Sequence, residues 1–400
     1  MNTAEYIREH LRDDVRVLAL GTHPDGVDVR TALVQIAGWQ AAVSKLPDWA
    51  ETDGIVWPEH IPMEQCTSQH VAAYKSGIVD TLLEKGFCMA DLTGGLGVDC
   101  YYLSKNAGKV YYNDLNRSLS DLARNNFRVL GRKNVSVSSV DADTFLKEYA
   151  DEHFGLIYID PARRSSSGKK LVSLKDCLPD VTLLQHRMLD MADVVMVKMS
   201  PMLDISVAIR ELVSVSEIWV LSLAGECKEL LAVMKSGYTG STLISAVNIA
   251  SDGTPGEVLR STVEKDASLP LPVISYDSVC KGNFLYDPYA SYMKSGLYRT
   301  ICDRYGVSQL HPNSHLFISD TYSAGFPGRH FEILKVCRFD RHSAKDLFQE
   351  YSSANVTVRN FPMTADEIRT RFRVRDGGGH TVFATVVHPS DKVLIVAKRI

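Results

Sequence analysis

From Phe87 to about Ile249, short apolar runs alternate with amphipathic segments. The runs are FCMADLT (87–93), KVYYNDL (109–115), VSVSSVDA (135–142), GLIYIDP (155–161), DVVMVKMS (193–200), EIWVLSL (217–223) and STLISAVNI (241–249). Strand, helix, strand repetition predicts an α/β fold with a parallel sheet and helices on both faces. Ligands of such a sheet bind beyond the carboxyl ends of its strands. The residues that close each run are therefore the ones to read for function.

The flanks differ from this middle. Residues 1–62 read as helical, with Ala32–Leu46 rich in helix formers and Pro47 as its stop. A connector bearing proline and tryptophan follows, then one more helix capped near Thr67 or Ser68. SLPLPV (268–273) reads as a linker, and a helix is expected near Ala290–Tyr305. Residues 321–400 hold strand-like runs, FRVRD among them, and one helix at Ser343–Ser352, which predicts a small α+β domain. The expected divisions are 1–62, 63–265, 266–320 and 321–400.

Composition narrows the classes. Apolar residues are 45% and charged residues 23% of the chain, an ordinary globular balance. No apolar run approaches the roughly 18 residues of a membrane helix, and MNTAEYIREHLRDD lacks a secretory apolar stretch. The eight cysteines form no C-x-x-C pair, which speaks against a disulfide framework and a zinc site. No metal is expected, and a reducing cytoplasm is the expected location. Residues 321–400 carry 13 Lys and Arg against 8 Asp and Glu, a balance of +5. The other 320 residues carry −9, since 31 basic residues face 40 acidic ones. A basic end on an acidic body hints at a polyanionic partner.

The first run closes on Asp91-Leu-Thr93-Gly94-Gly95-Leu-Gly97-Val-Asp99. Its glycines let the backbone turn sharply and approach a ligand closely. A dinucleotide fingerprint needs G-x-G-x-x-G; Gly95 and Gly97 fit, but the third position is Cys100, which disfavours a nicotinamide or flavin cofactor. Asp91 and Asp99 would repel a pyrophosphate and suit a ligand carrying a sulfonium and an ammonium. The second run closes on Asn113-Asp114-Leu-Asn116, with Asp114 about 20 residues after the glycine loop, where a carboxylate can accept ribose hydroxyls. The third closes on Asp141-Ala142-Asp143; Asp141 is assigned to the ligand and Asp143 to the cap of the next helix. The fourth closes on Asp160-Pro161-Ala-Arg163-Arg164, placing a carboxylate at the sheet edge with a proline-fixed turn after it. Arg163 can stack or bind phosphate. Lys169 and Lys170 follow in a polar loop and are candidates for substrate contact with Arg164.

Lys198-Met-Ser-Pro201, after the fifth run, holds no cysteine that could serve as a nucleophile. In RTRFRVR (369–375), an extended backbone would put Arg371, Arg373 and Arg375 on one face, a basic row for a polyanion. Thr364-Ala-Asp-Glu367 is also a capping box, whose helix could run past Arg369.

Together ADLTGGLGVD, YYNDLN, VDAD and IYIDPAR resemble the motif set of class I S-adenosylmethionine methyltransferases. KLPDWAETDGIVWPEHIPMEQCTS, DPARR, VKMSPMLDI, GECKELL and VRDGGGHTVFATV extend the resemblance over nearly the full length, to bacterial methyltransferases with a THUMP-like C-terminal domain. The resemblance implies a Rossmann-like seven-stranded sheet, a ferredoxin-like segment and a THUMP-like α+β module. It implies S-adenosyl-L-methionine as cofactor, held by Asp91, Thr93, Gly94, Gly95, Gly97, Asp114, Asn116, Asp141 and Ala142, with Gln65 and Thr67 closing over it. An RNA substrate follows by analogy. Asp160, Pro161 and Arg163 would form the catalytic set, orienting an amino nitrogen of a base. A protein or small-molecule acceptor is the first alternative, and a non-catalytic RNA-binding protein the second.

Overall fold

The computed structural model describes residues 1–163 and 173–400, which form two compact units. The first comprises 1–218 and 229–240, the second 219–228 and 241–400. Arg164, Lys169 and Lys170 lie outside the described residues.

In the first unit the strands are β1 (Cys88–Asp91), β2 (Lys109–Asn113), β3 (Val135–Ser138), β4 (Phe154–Ile159), β5 (Ala192–Met199), β6 (Val215–Leu223) and β7 (Glu226–Lys235). β6 and β7 run on into the second unit. Their order is β3-β2-β1-β4-β5-β7-β6. β1 pairs in parallel with β2 and β4, β2 with β3, and β4 with β5, whereas β7 runs antiparallel to β5. Chain order reverses between β1 and β4, the place where such sheets bind ligands.

The seventh strand corrects the sequence reading. Leu243–Ile249, the last of the seven runs, is a strand of the same nine-stranded sheet, beside β6 and paired with Leu259–Thr262, and the strand absent from the seven-run series is β7. β7 gives no clear apolar run because its first residues, Glu226, Cys227 and Lys228, are polar and wholly or partly exposed, whereas Leu230–Met234 are buried.

Helices follow the strands as amphipathic connectors: α1 (Val29–Lys45) and α2 (Gln69–Leu82) before β1, then α3 (Val98–Leu103), α4 (Arg117–Val129), α5 (Ala142–Glu148), α6 (Val181–Met191) and α7 (Ile205–Glu211). The tryptophan connector is core rather than linker. Trp49 and Trp57 are buried with Ala42, Leu46 and Met63 against Leu96 and Val98, which holds the N-terminal helices against the glycine loop. A Cβ on Gly38 would come within 2.3 Å of the Trp57 Cβ, so α1 can approach this closely only with glycine there.

In the second unit, after the pair β8 (Leu243–Ile249) and β9 (Leu259–Thr262), a seven-stranded sheet is built from β10 (Phe284–Pro288), β11 (Ser308–Gln309), β12 (Phe317–Ser319), β13 (Gly328–Arg338), β14 (Asn355–Val358), β15 (Thr381–Val387) and β16 (Asp391–Arg399). Its order is β11-β12-β10-β13-β16-β15-β14. One face packs Leu285, Phe331, Phe383 and Ile395; the other packs Val382, Leu394 and Val396 on α8 (Arg341–Glu350) and α9 (Ala365–Phe372). The helix expected over Ala290–Tyr305 is two, Ala290–Ser295 and Tyr298–Tyr305, broken at Gly296 with φ 73°.

The basic strand is overturned here. Thr364 and Glu367 form a reciprocal capping box, and α9 runs to Phe372. Arg373 sits at its C-cap in the left-handed region, φ 56°. Arg371 is thus in the last helical turn, its guanidinium over Phe372, and Arg375 bridges Ser353. All three arginines are exposed, but they share no strand face.

Candidate active site

The carboxyl ends of β1, β2, β4 and β5 surround a cavity of about 540 Å³, within the roughly 300–1,000 Å³ usual for small-molecule sites. Its wall includes Asp91, Thr93, Gly94, Gly95, Asp114, Asp141, Ala142, Asp160 and Lys198, with Gln65 and Thr67 from the segment before α2.

The loop after β1 has little freedom. A Cβ on Gly94 would fall 2.0 Å from the Tyr112 ring. Gly97 has φ 90°, and a Cβ there would meet the Phe127 ring at 2.9 Å. Gly97 therefore shapes the loop without lining the cavity. The Tyr112 hydroxyl donates to the Gly95 carbonyl at 2.5 Å. Beneath the loop, buried Asn113 donates to the Leu92 and Val140 carbonyls and accepts from the Val140 N–H, which fixes three strand ends together.

Asp114 accepts from the Gly95 N–H through Oδ2 and from the Asn116 N–H through Oδ1, both at 2.8 Å. These bonds orient the carboxylate and leave each oxygen a further lone pair. Asn116 itself is the cap of α4, its Oδ1 accepting from the Ser118 and Leu119 N–H groups, and it is not among the cavity residues. Its expected ligand role gives way to that cap.

Asp91 is 1% exposed. Its Oδ1 accepts from the Thr93 N–H at 3.1 Å, while Oδ2 is buried without a hydrogen-bond partner. Burial drives its pKa well up; the Thr93 bond opposes this, and the charges of Asp99, Asp114 and Asp160 add to it. A buried, unpartnered carboxylate oxygen on a cavity wall suits a cationic ligand group.

The cap role read for Asp143 falls to Asp141. Asp141 is the N-cap of α5, accepting from the Thr144 N–H at 2.9 Å and hydroxyl at 2.6 Å. Asp143 instead pairs with Lys147 and Arg187. Asp141 still reaches the cavity wall, so cap and lining role fall on one residue.

Asp99 is not an open anionic end of the loop. Lys75, fully buried on α2, bridges Asp99 Oδ1 at 2.7 Å and Glu229 Oε1 at 2.8 Å. The Thr67 and Tyr158 hydroxyls donate to Asp99 Oδ2, each at 2.8 Å. Burial works against the charge on Asp99, but Lys75 and Lys198 outweigh it and hold its pKa below the ordinary carboxylate range. Burial raises the pKa of Glu229, with Lys75 and Lys198 opposing.

Lys198, near the end of β5, joins this cluster to the cavity. Its ammonium lies 2.6 Å from Asp160 Oδ2, 3.1 Å from Thr67 Oγ1 and 3.5 Å from Asp99 Oδ2. Burial opposes its charge, yet Asp160, Asp99 and Glu229 together keep it firmly protonated. The Asp160 N–H donates to Thr93 Oγ1 at 2.6 Å. Pro161 is not among the cavity residues, whereas Ala162 is. Arg163 pairs through its backbone with Cys177 in a short ribbon.

Lys75, Lys198 and Glu229 were not singled out from the sequence. They stand on α2, β5 and β7, and only the sheet order brings them together. A lysine in an apolar strand, as in VVMVKMS, was the one available signal.

The second unit contains the matches to known families: a ferredoxin-like domain over residues 284–327 and a THUMP domain-like region over 328–399. No curated protein matches the sequence. Over almost its whole length the chain is similar to a solved structure described as a "putative methyltransferase" from Porphyromonas gingivalis W83: 28% identity, 99% of this chain and 96% of that one, TM-score 0.85. Shorter likenesses include a Streptococcus mutans protein of the same description, solved with SAH (17% identity, 40% and 95%, TM-score 0.32). Another is an rRNA methylase from Streptococcus thermophilus (17%, 42% and 95%, TM-score 0.32). By sheet order and full-length likeness, the chain shares the fold of that Porphyromonas gingivalis structure, and its second unit holds a ferredoxin-like segment and a THUMP-like domain.

Proposed function

We propose that this protein transfers a methyl group from S-adenosylmethionine to a structured RNA. The observation that carries the cofactor reading is the cavity wall itself. Asp91 offers an unpartnered oxygen to the amino-acid ammonium, the glycine loop lets the ligand close to the backbone, and oriented Asp114 can accept the ribose hydroxyls. Asp141 and Ala142 are the residues that would meet the adenine. When bound, the cofactor supplies a methyl group on a sulfonium, a leaving group that needs no acid. Catalysis then rests on positioning, and Asp160 with Lys198 is the polar pair on the acceptor side.

The RNA reading is supported by the THUMP-like match and by the balance of +5 over residues 321–400. THUMP domains elsewhere hold RNA for modification enzymes. An amino nitrogen is the acceptor that Asp-Pro at a strand end suggests, but the Asp160 carboxylate that would receive it is held by Lys198. Calorimetry tests the cofactor reading. S-adenosylmethionine and S-adenosylhomocysteine should bind and NAD should not; NAD binding, or no binding of either adenosyl compound, overturns it.

A further inference from the structure

The side chains that face the acceptor are mismatched to an exocyclic amine. We infer that the nucleophile methylated is a hydroxyl, which in RNA is the ribose 2′-hydroxyl, an inference that rests on the proposed cofactor and RNA reading. An amino group presents N–H donors and gains positive charge as its lone pair attacks. Beside Asp160 it would meet the Lys198 ammonium, 2.6 Å from that carboxylate. Donor would face donor, and the growing cation would face a fixed one.

A hydroxyl uses both partners. Its proton is directed at the Asp160 carboxylate, which is 36% exposed, and its oxygen accepts from Lys198. The longest Lys198 contact, 3.5 Å to Asp99, is the one such an oxygen would replace. A hydroxyl also needs what an amine does not, removal of its proton as the bond forms. The O–CH₃ bond forms while the methyl–sulfur bond breaks, its electron pair staying on sulfur, and the hydroxyl proton passes to Asp160. The Lys198 ammonium stabilises the negative charge that develops on the oxygen.

The buried groups behind the pair fix it in place. Lys75 bridges Asp99 and Glu229, and Thr67 ties Asp99 to Lys198, so the Lys198 ammonium stays at the cavity wall. Lys75 and Glu229 are not among the cavity residues, so they act as positioning residues.

The experiment is to label unmodified ribosomal and transfer RNA transcripts with tritiated S-adenosylmethionine and the full chain, then digest with alkali. A 2′-O-methyl group blocks cleavage of its own phosphodiester, so the label should run as alkali-resistant dinucleotides. Lys198→Met should lower kcat by about 10²–10³-fold, as loss of a transition-state donor does, while S-adenosylhomocysteine affinity stays within about threefold. Lys198→Arg, which keeps the charge, should recover part of the rate. Label in alkali-released mononucleotides overturns the hydroxyl inference and leaves the RNA reading standing. RNA that takes no label overturns both.

Discussion

At the scale of single residues, Asp91 combines a stability cost with the binding role proposed for it. Its folded pKa is raised by burial above the unfolded value of about 3.9. Its contribution to stability is therefore full below that unfolded value and is lost as pH rises through the elevated folded one. Asp91→Asn should melt at or above the wild-type temperature at neutral pH and lose this part of the pH dependence, which thermal scans across pH would measure. Binding of S-adenosylhomocysteine should release a proton from wild type, up to about one per site, because its ammonium favours ionised Asp91. Calorimetry in two buffers of different ionisation heat reads this, and equal release from Asp91→Asn would contradict it. Asp114→Ala should weaken S-adenosylhomocysteine by about 1–3 kcal/mol, the cost of hydroxyls left unpaired; unchanged affinity would remove the ribose assignment. The places of both aspartates on the cavity wall were legible because each closes an apolar run. Asp99 misled because its partner Lys75 lies 24 residues upstream on another element. Asp141 and Asp143 stand two apart at a helix start, and the sequence alone does not say which side chain turns back to cap it.

At the scale of elements, α2 and β7 are joined through one buried ion. Lys75→Met leaves Asp99 and Glu229 buried without their shared ammonium, and breaking a buried pair in this way costs about 3–5 kcal/mol. Denaturant unfolding of that variant beside the Lys75→Met, Glu229→Gln double variant should show partial recovery; equal or additive losses would mean that the charges are not coupled. Asp141→Ala should reduce both stability and cofactor affinity, and Asp143→Ala only weakly either one, since the cap and the cavity wall share Asp141. Strands β1 to β5 were legible from apolar runs ending at polar residues. β7 was not, because a charged, exposed start disguises its buried half. RTRFRVR alternated like a strand, but the capping box ahead of it governs the backbone, and helix α9 results.

At the scale of the molecule, the charge division read from the sequence remains the main guide to the partner. RNA binding by the full chain should weaken steeply with salt, the log–log slope reporting the phosphates contacted, about 0.7–0.9 per contact. Arg371 and Arg373 occupy a helix end and its cap rather than one row. Their joint replacement by Ala should therefore change that slope by at most about one unit, whereas a change of two or more would restore them as a phosphate row. The α/β sheet and the α+β end were both visible in the pattern of runs, but the meeting of Lys75, Lys198, Glu229 and Asp160 was not, since it depends on strand order rather than spacing. The central claim, methyl transfer to RNA, is tested most directly by incubating the full chain and labelled S-adenosylmethionine with RNA, protein and metabolite fractions of a bacterial extract. The account predicts label in the RNA fraction, abolished by Asp160→Ala at nearly unchanged S-adenosylhomocysteine affinity. Label confined to protein or metabolites, or an Asp160→Ala variant as active as wild type, would contradict it.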